Sequence, residues 1–189
     1  MTSDSPRALA LVGMPGAGKT LCAKHLEAQG YFQLRFGGIV VDEVTRRGWP
    51  ITPDNERIVR EELRRNEGMD VMAKRSLPLL KSALETHQCI VIDGLYSFSE
   101  YKTLHTELGA AMAVVSITSE RGMRYRRLAE RTERPLTSEE AQRRDYAEIE
   151  SLEKGGPIAI ADYTLLNNGE PADLLAALDA LVKRLHFMP

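Results

Sequence analysis

Apolar residues along the chain fall into short unbroken runs separated by longer amphipathic stretches. Ala8-Leu9-Ala10-Leu11-Val12 is continuous and stops at Gly13, which predicts a strand buried on both faces. Cys89 to Gly94 predicts a second such strand, ending in Asp93, and Ala111 to Ile117 a third rich in β-branched residues. Tyr31 to Phe36, stopped by Gly37-Gly38, and Tyr163 to Leu166 predict two more. Helical patterns fill the gaps, over about Thr20–Gln29, Ile39–Arg47, Thr52–Glu67 and Asp70–His87, with a kink expected at Pro78. Further helices are expected from Ser97, from Ser119 to about Thr132, from Thr137 to about Lys154, and after Gly169-Glu170-Pro171. Start signals support them: Thr52-Pro53-Asp54 pairs a cap with proline at the first helical position. Ser97-x-x-Glu100 and Thr137-x-x-Glu140 both read as capping boxes.

Strands alternating with helices imply an α/β fold, a parallel sheet with helices on both faces. At 189 residues the chain is expected to form one domain, residues 1–189, without internal repeats. Its 43% hydrophobic content suffices for an ordinary core. A net charge of -2 gives no electrostatic case for nucleic acid as a partner. Cys22 and Cys89 are far apart and show no zinc spacing, so both are expected as buried thiols in a reducing compartment. The four histidines show no ligand spacing either. The run Ala8–Val12 is too short for a signal-peptide core or a membrane span, so a cytoplasmic location and no membrane partner are expected.

The chemistry begins where the first strand ends. Gly13-Met14-Pro15-Gly16-Ala17-Gly18-Lys19-Thr20 matches G-x-x-x-x-G-K-[ST], a Walker A phosphate loop, between a strand and a helix. Glycines let successive N–H groups point inward, and the following helix adds the positive end of its dipole. In such a loop Lys19 reaches the β- and γ-phosphates and the Thr20 hydroxyl ligates Mg²⁺. ATP and Mg²⁺ are therefore the expected cofactors. Asp93 belongs at the carboxyl edge of the sheet, where open α/β folds bind ligands. It can hold a Mg²⁺-bound water, accept a substrate hydroxyl proton, or cap the next turn.

Arginines crowd the segment from Arg121 to Arg144. Arg124, Arg127 and Arg131 share one face of a helix, and cations stacked this way repel unless an anion lies opposite. A clamp on a transferring phosphoryl group is one reading. An exposed helix salt-bridged by Glu120, Glu130 and Glu133 is the other. Arg46 and Arg47, with Asp42 and Glu43 one turn earlier, offer either an acceptor contact or a charged outer face.

These parts together resemble the nucleoside monophosphate kinase group, which includes adenylate, cytidylate and dephospho-CoA kinases. More closely, the chain resembles an uncharacterised adenylate-kinase-related family of P-loop proteins from archaea and some bacteria. The stretches that carry the likeness are GMPGAGKT (13–20), VVDEVTRRG (40–48), EGMDVMAKRSLP (67–78), VIDGLYS (91–97), RYRRLAERTER (124–134) and ADYTLLNNG (161–169). The resemblance implies a three-layer α/β/α P-loop fold with a five-stranded parallel sheet. It implies an acceptor-binding region around 37–75, with Asp42 and Arg46, and a helical lid around 131–145. Arg127 and Arg131 would contact phosphate. Adenylate kinases often place an arginine shortly after Asp-Gly; here Tyr96 stands near that position, able to hydrogen-bond or stack but bringing no charge. The implied activity is transfer of the γ-phosphoryl group of ATP to a nucleotide-like acceptor. The alternative is a nucleotide-binding regulatory ATPase or switch. The guanine signature Asn-Lys-x-Asp is missing, Leu166-Asn167-Asn168-Gly169 being the nearest stretch, and Val40-Val41-Asp42-Glu43 only imitates a motor ATPase acid pair.

Overall fold

The computed structural model describes residues 7–132 and 134–189; Glu133, one of the acids weighed against the arginines, lies outside them. The chain runs β1 (Ala8–Val12), α1 (Lys19–Ala28), β2 (Phe32–Arg35), α2 (Gly37–Arg46), α3 (Pro53–Glu67) and α4 (Val71–Thr86). It continues through β3 (Ile90–Asp93), α5 (Phe98–Leu108), a 3₁₀ turn (Gly109–Ala111), β4 (Met112–Thr118), α6 (Arg121–Ala129) and α7 (Ser138–Glu150). The last elements are α8 (Gly155–Ala159), β5 (Tyr163–Leu166) and α9 (Pro171–Arg184).

The five strands form one parallel sheet in the order β2-β3-β1-β4-β5. Side chains alternate across it. Ala8, Ala10 and Val12 join the core under α2, α3, α4 and α5, with Val44, Val59, Leu80 and Leu104. Leu9 and Leu11 join the opposite core with Cys22 and Leu26 of α1 and Leu174 and Leu178 of α9. Both faces of β1 are therefore covered, which is why its sequence is apolar without interruption. Each fully buried leucine adds about 1.5–3 kcal/mol of burial free energy. Cys22 and Cys89 are buried, and burial pushes the Cys22 thiol up to about 12.

The register pairs Leu11 with Asp93 and Arg35 with Asp93, so the carboxyl ends of β1, β2 and β3 lie level. Helix starts are fixed as the chain's chemistry requires. Thr52 accepts from the Asn55 N–H at 3.2 Å, and both capping boxes form. Two predicted helices end early. The arginine helix stops at Ala129 rather than Thr132: the Leu136 N–H reaches back to the Leu128 carbonyl, and Arg134 turns the chain at φ 53°. The helix from Thr137 stops at Glu150, and a separate short helix follows over Gly155-Gly156-Pro157, a poor helical sequence that packs against α5. Helix α4 runs unbroken through Pro78. Among the described residues no helix is long and apolar enough to cross a membrane.

Candidate active site

The loop after β1 wraps tightly because two glycines permit it. Gly13 sits at φ 146°, and a Cβ there would lie 2.3 Å from the Ile117 carbonyl oxygen. Gly18 sits at φ 110°, and its Cβ would meet the Asn167 amide at 2.4 Å. The loop is also held from outside. Asn167 donates to the Ala17 carbonyl at 2.8 Å, and Arg124 donates to the Pro15 carbonyl at 3.0 Å. Met14, Pro15, Gly16 and Ala17 thus form a braced arch that leads into the N-terminus of α1.

Lys19 folds back over the arch and donates to the Gly13 carbonyl at 2.6 Å and to Met14 at 3.3 Å. Burial lowers its pKa to about 7, and the nearby Lys154 ammonium adds to the shift. Above it opens a cavity of about 280 Å³, lined by the loop, Thr20, Tyr96, Arg127, Arg131, Arg144 and Lys154. Five cations, Lys19 included, therefore face one space, and no Asp or Glu is among its described lining residues. Burial lowers the pKa of Arg131 as well, with Arg144 adding repulsion.

The arginines expected on one helical face part company. Arg127 and Arg131 line the cavity. Arg127 is held by the Ser119 hydroxyl at 2.8 Å and the Asn167 side-chain oxygen at 3.3 Å. Arg124 turns inward to a bidentate pair with Asp145, at 2.9 and 2.6 Å, with both side chains more than nine-tenths buried. It ties α6 to α7 and braces the loop, but does not line the cavity.

Asp93 is half-buried at the end of β3 and acts on Lys19 electrostatically, raising its pKa against the effect of burial. It does not line the phosphate cavity. Nor do Asp42, exposed on α2, and Arg46, which donates to Glu43 at 2.8 and 2.7 Å. Tyr96 lines the cavity and lies under the Lys154 ammonium, 4.7 Å from its ring centre. Desolvation raises the Tyr96 pKa. Lys154 is also paired with Glu148, which accepts from Arg144 at 3.0 Å.

A second cavity of about 210 Å³ adjoins the first, sharing Tyr96 and Arg144, and reaches Gly37, Arg60, Arg64, Glu148 and Leu152. Sequence reading passed over Arg60, Arg64, Arg144, Lys154 and Asn167 as site residues. Arg60 and Arg64 did carry a signal, an i,i+4 pair on a well-capped helix within the region 37–75. Lys154 carried none, since only the return of α8 toward α5 places it at the site.

The arch fits a nucleotide polyphosphate: a tight glycine loop, a helix N-terminus, and a cavity where Lys19, Arg127 and Arg131 have no carboxylate partner among the described ion pairs, while Arg144 and Lys154 share Glu148. It also fits Mg²⁺, which takes one or two protein oxygens and leaves the rest to phosphate and water. Thr20 offers its hydroxyl within the cavity, while Asp93 stands outside the lining at the end of β3. The described residues hold no group of three or more His, Cys, Asp or Glu side chains suited to a metal.

Comparison with known proteins narrows the identity. The AAA_18 family model, an AAA domain, matches residues 9–151. UPF0200 protein TK1334 of Thermococcus kodakarensis is 33% identical over 91% of this chain and 94% of its own length. The chain belongs to the UPF0200 family of AAA-domain P-loop proteins. A UPF0200 protein of Hyperthermus butylicus is also 33% identical, over 97% of both chains. Among solved structures, TT1252 from Thermus thermophilus superposes with a TM-score of 0.67 at 21% identity, covering 96% of this chain and 99% of the other. Shikimate kinase from Acinetobacter baumannii gives 0.57 at 17% identity, covering 97% and 94%. A gluconokinase from Sinorhizobium meliloti gives 0.55 at 18%, covering 96% and 97%. This UPF0200 protein therefore has the P-loop kinase fold, with a nucleotide-binding loop. The expected place within the nucleoside monophosphate kinase group is thereby widened to the P-loop kinase fold and the UPF0200 family.

Proposed function

We propose that the protein is an ATP-dependent phosphotransferase that moves the γ-phosphoryl group to a small molecule, nucleotide-like acceptors being those the sequence resemblance favours. The observation that carries this is the set of five cations around the phosphate loop, of which only Arg144 and Lys154 have a carboxylate, the shared Glu148, among the described ion pairs. Developing charge on a transferring phosphoryl group is what such a set stabilises. Lys19 grips the β/γ oxygens, leaving its two carbonyl partners. Arg127 and Arg131 approach the transferring group from α6 and the turn after it. Asp93 accepts the proton of the attacking hydroxyl. Mg²⁺ would be held through the Thr20 hydroxyl and would supply further neutralisation of the phosphate oxygens when bound; holding a Mg²⁺-bound water is the alternative role for Asp93. The segment 131–145, which follows α6 and includes the first part of α7, serves as the lid, and its closure excludes water, so that hydrolysis does not compete with transfer.

The AAA domain match favours a second reading, a nucleotide-driven regulatory ATPase without a small-molecule acceptor. One experiment separates them. The protein is incubated with Mg²⁺-ATP and a panel of nucleoside monophosphates, dephospho-CoA, sugar acids and other hydroxy acids, and ADP is followed. Acceptor-dependent ADP release is expected, abolished in Lys19→Ala while circular dichroism stays native. ADP release indifferent to every acceptor would support the ATPase instead.

A further inference from the structure

The second cavity holds a cation that the fold leaves only partly satisfied. Arg64 lies on α3 with its side chain 8% exposed, and among the described residues its Nε has no hydrogen-bond partner. Its nearest anion is Glu100, whose Oε1 lies 3.6 Å from the guanidinium and is itself without a hydrogen bond. That separation is an ion pair but not a hydrogen bond. The other oxygen of Glu100 is committed, accepting the N–H groups of Tyr96 at 2.8 Å and Ser97 at 3.1 Å. Arg60, one turn earlier on the same helix face, lines the same space. The one acid lining it, Glu148, already serves Arg144 and Lys154. A buried guanidinium with an unmade donor is costly, and a bidentate oxyanion is the group that satisfies it.

We infer that this second cavity is the acceptor site, and that Arg60 and Arg64 hold an anionic oxyacid group, carboxylate or phosphate, on a hydroxyl-bearing acceptor. This rests on the phosphotransferase reading. At about 210 Å³ the space falls below the ~300–1,000 Å³ of typical ligand pockets, so it encloses the anionic end and little more. Tyr96 and Arg144 border both cavities, so an acceptor anchored on α3 extends past Tyr96 toward the γ-phosphate. Its hydroxyl oxygen then bonds to the γ-phosphorus as the bond to the β,γ-bridging oxygen breaks. The bridging oxygen leaves with the electron pair on ADP, and the hydroxyl proton passes to Asp93. Glu100 acts as a positioning residue, joining the anchor to the wall: one oxygen faces Arg64 and the other fixes the backbone at Tyr96.

The test saturates the phosphate loop with Mg²⁺ and the β,γ-imido analogue of ATP, then titrates two series by calorimetry. One contains glycerate, malate and gluconate; the other contains glycerol 3-phosphate, ribose 5-phosphate and AMP. At least one compound is expected to bind the wild-type complex, with affinity falling tenfold or more in Arg60→Ala and Arg64→Lys, and analogue affinity changing less than twofold. The series that binds identifies the anion as carboxylate or phosphate. Arg60→Ala guards against a folding defect from the more buried Arg64. Binding indifferent to both substitutions, or no binding by either series to an analogue-loaded protein, overturns the acceptor site alone. Failure of the analogue itself to bind overturns the phosphotransferase reading first.

Discussion

Two regions of this molecule are equally rich in arginine and opposite in character. At the end of α2, Arg46 and Arg47 converge on Glu43, with Arg75 at 3.8 Å, and Arg47 also reaches Glu62 at 2.5 Å. Hydrogen bonds from Arg46 and Arg47 pull the Glu43 carboxyl down to about 2. Around the phosphate loop the shift runs the other way: burial and mutual repulsion loosen the protons of Lys19 and Arg131. In the first region an acid is stabilised by surplus cations and nothing further is needed. In the second, bases are destabilised because their anion is not part of the protein. Perturbed bases without acids mark a place for a ligand, and a perturbed acid among bases marks scaffold.

The same contrast divides helix α6, and mutation should expose it. Arg124→Ala leaves Asp145 buried without its partner, a loss of about 3–5 kcal/mol. Thermal unfolding should show it as a fall in Tm of at least ~6 °C. Replacing both partners with apolar residues should recover much of that loss. A Tm within ~1 °C of wild type for Arg124→Ala would mean that the pair does not brace α6 against α7.

Arg127→Ala should behave differently, because its anion arrives only with the substrate. Turnover is expected to fall about 10²-fold or more, with nucleotide affinity changing much less and Tm nearly unmoved. Steady-state kinetics beside nucleotide titration makes the distinction. A loss confined to nucleotide affinity would remove Arg127 from the transition state and leave it a binding residue.

Much of the fold was legible in the sequence, and the reason is local. Strand β1 is apolar throughout because both of its faces are covered, and the caps at Thr52, Ser97 and Thr137 act within a few residues of themselves. The phosphate loop was legible for the same reason. The division of arginines was not. Spacing puts Arg124, Arg127 and Arg131 on one face, but their fates depend on Asp145, Ser119 and Asn167, which tertiary folding brings to them. Lys154 enters the cavity from a Gly-Gly-Pro segment without helical pattern. Charge patterning shows where cations are, and only the packed structure shows which lack a counter-ion.

Lys19 gives a pH test of that point. Its pKa in the free protein is about 7, below its ordinary 10.5, and a bound polyphosphate raises it again. Raised in the complex, the group favours binding fully below pH 7 and progressively less above it, until the pKa of the complex is reached. Nucleotide affinity should therefore fall between pH 7.5 and 9 by up to about tenfold per unit, with proton uptake on binding. Calorimetry in buffers of different ionisation enthalpy measures that uptake. Lys19→Met should abolish it. A flat affinity profile with no proton uptake would place the free lysine in its ordinary range and weaken the case for an unpaired cation.

The smallest effect is expected where sequence gave as much reason to look as at α6. Arg46 is 72% exposed, and its guanidinium contacts Glu43, which also keeps Arg47. Removing it leaves the buried carboxylate with Arg47 at 2.9 Å and Arg75 nearby, so no charge is stranded. Arg46→Ala should therefore alter turnover, nucleotide affinity and acceptor affinity by less than about twofold, the range of exposed pairs. Glu43→Ala is the companion measurement: it strands only Arg46, since Arg47 keeps Glu62 and Arg75 keeps Glu67, and it should loosen the packing of α2 against α3 without reaching the phosphate loop. If Arg46→Ala instead cost tenfold in acceptor affinity, α2 would contribute to acceptor recognition. The rule that a paired arginine is scaffold would then fail at a residue that holds its carboxylate through two nitrogens.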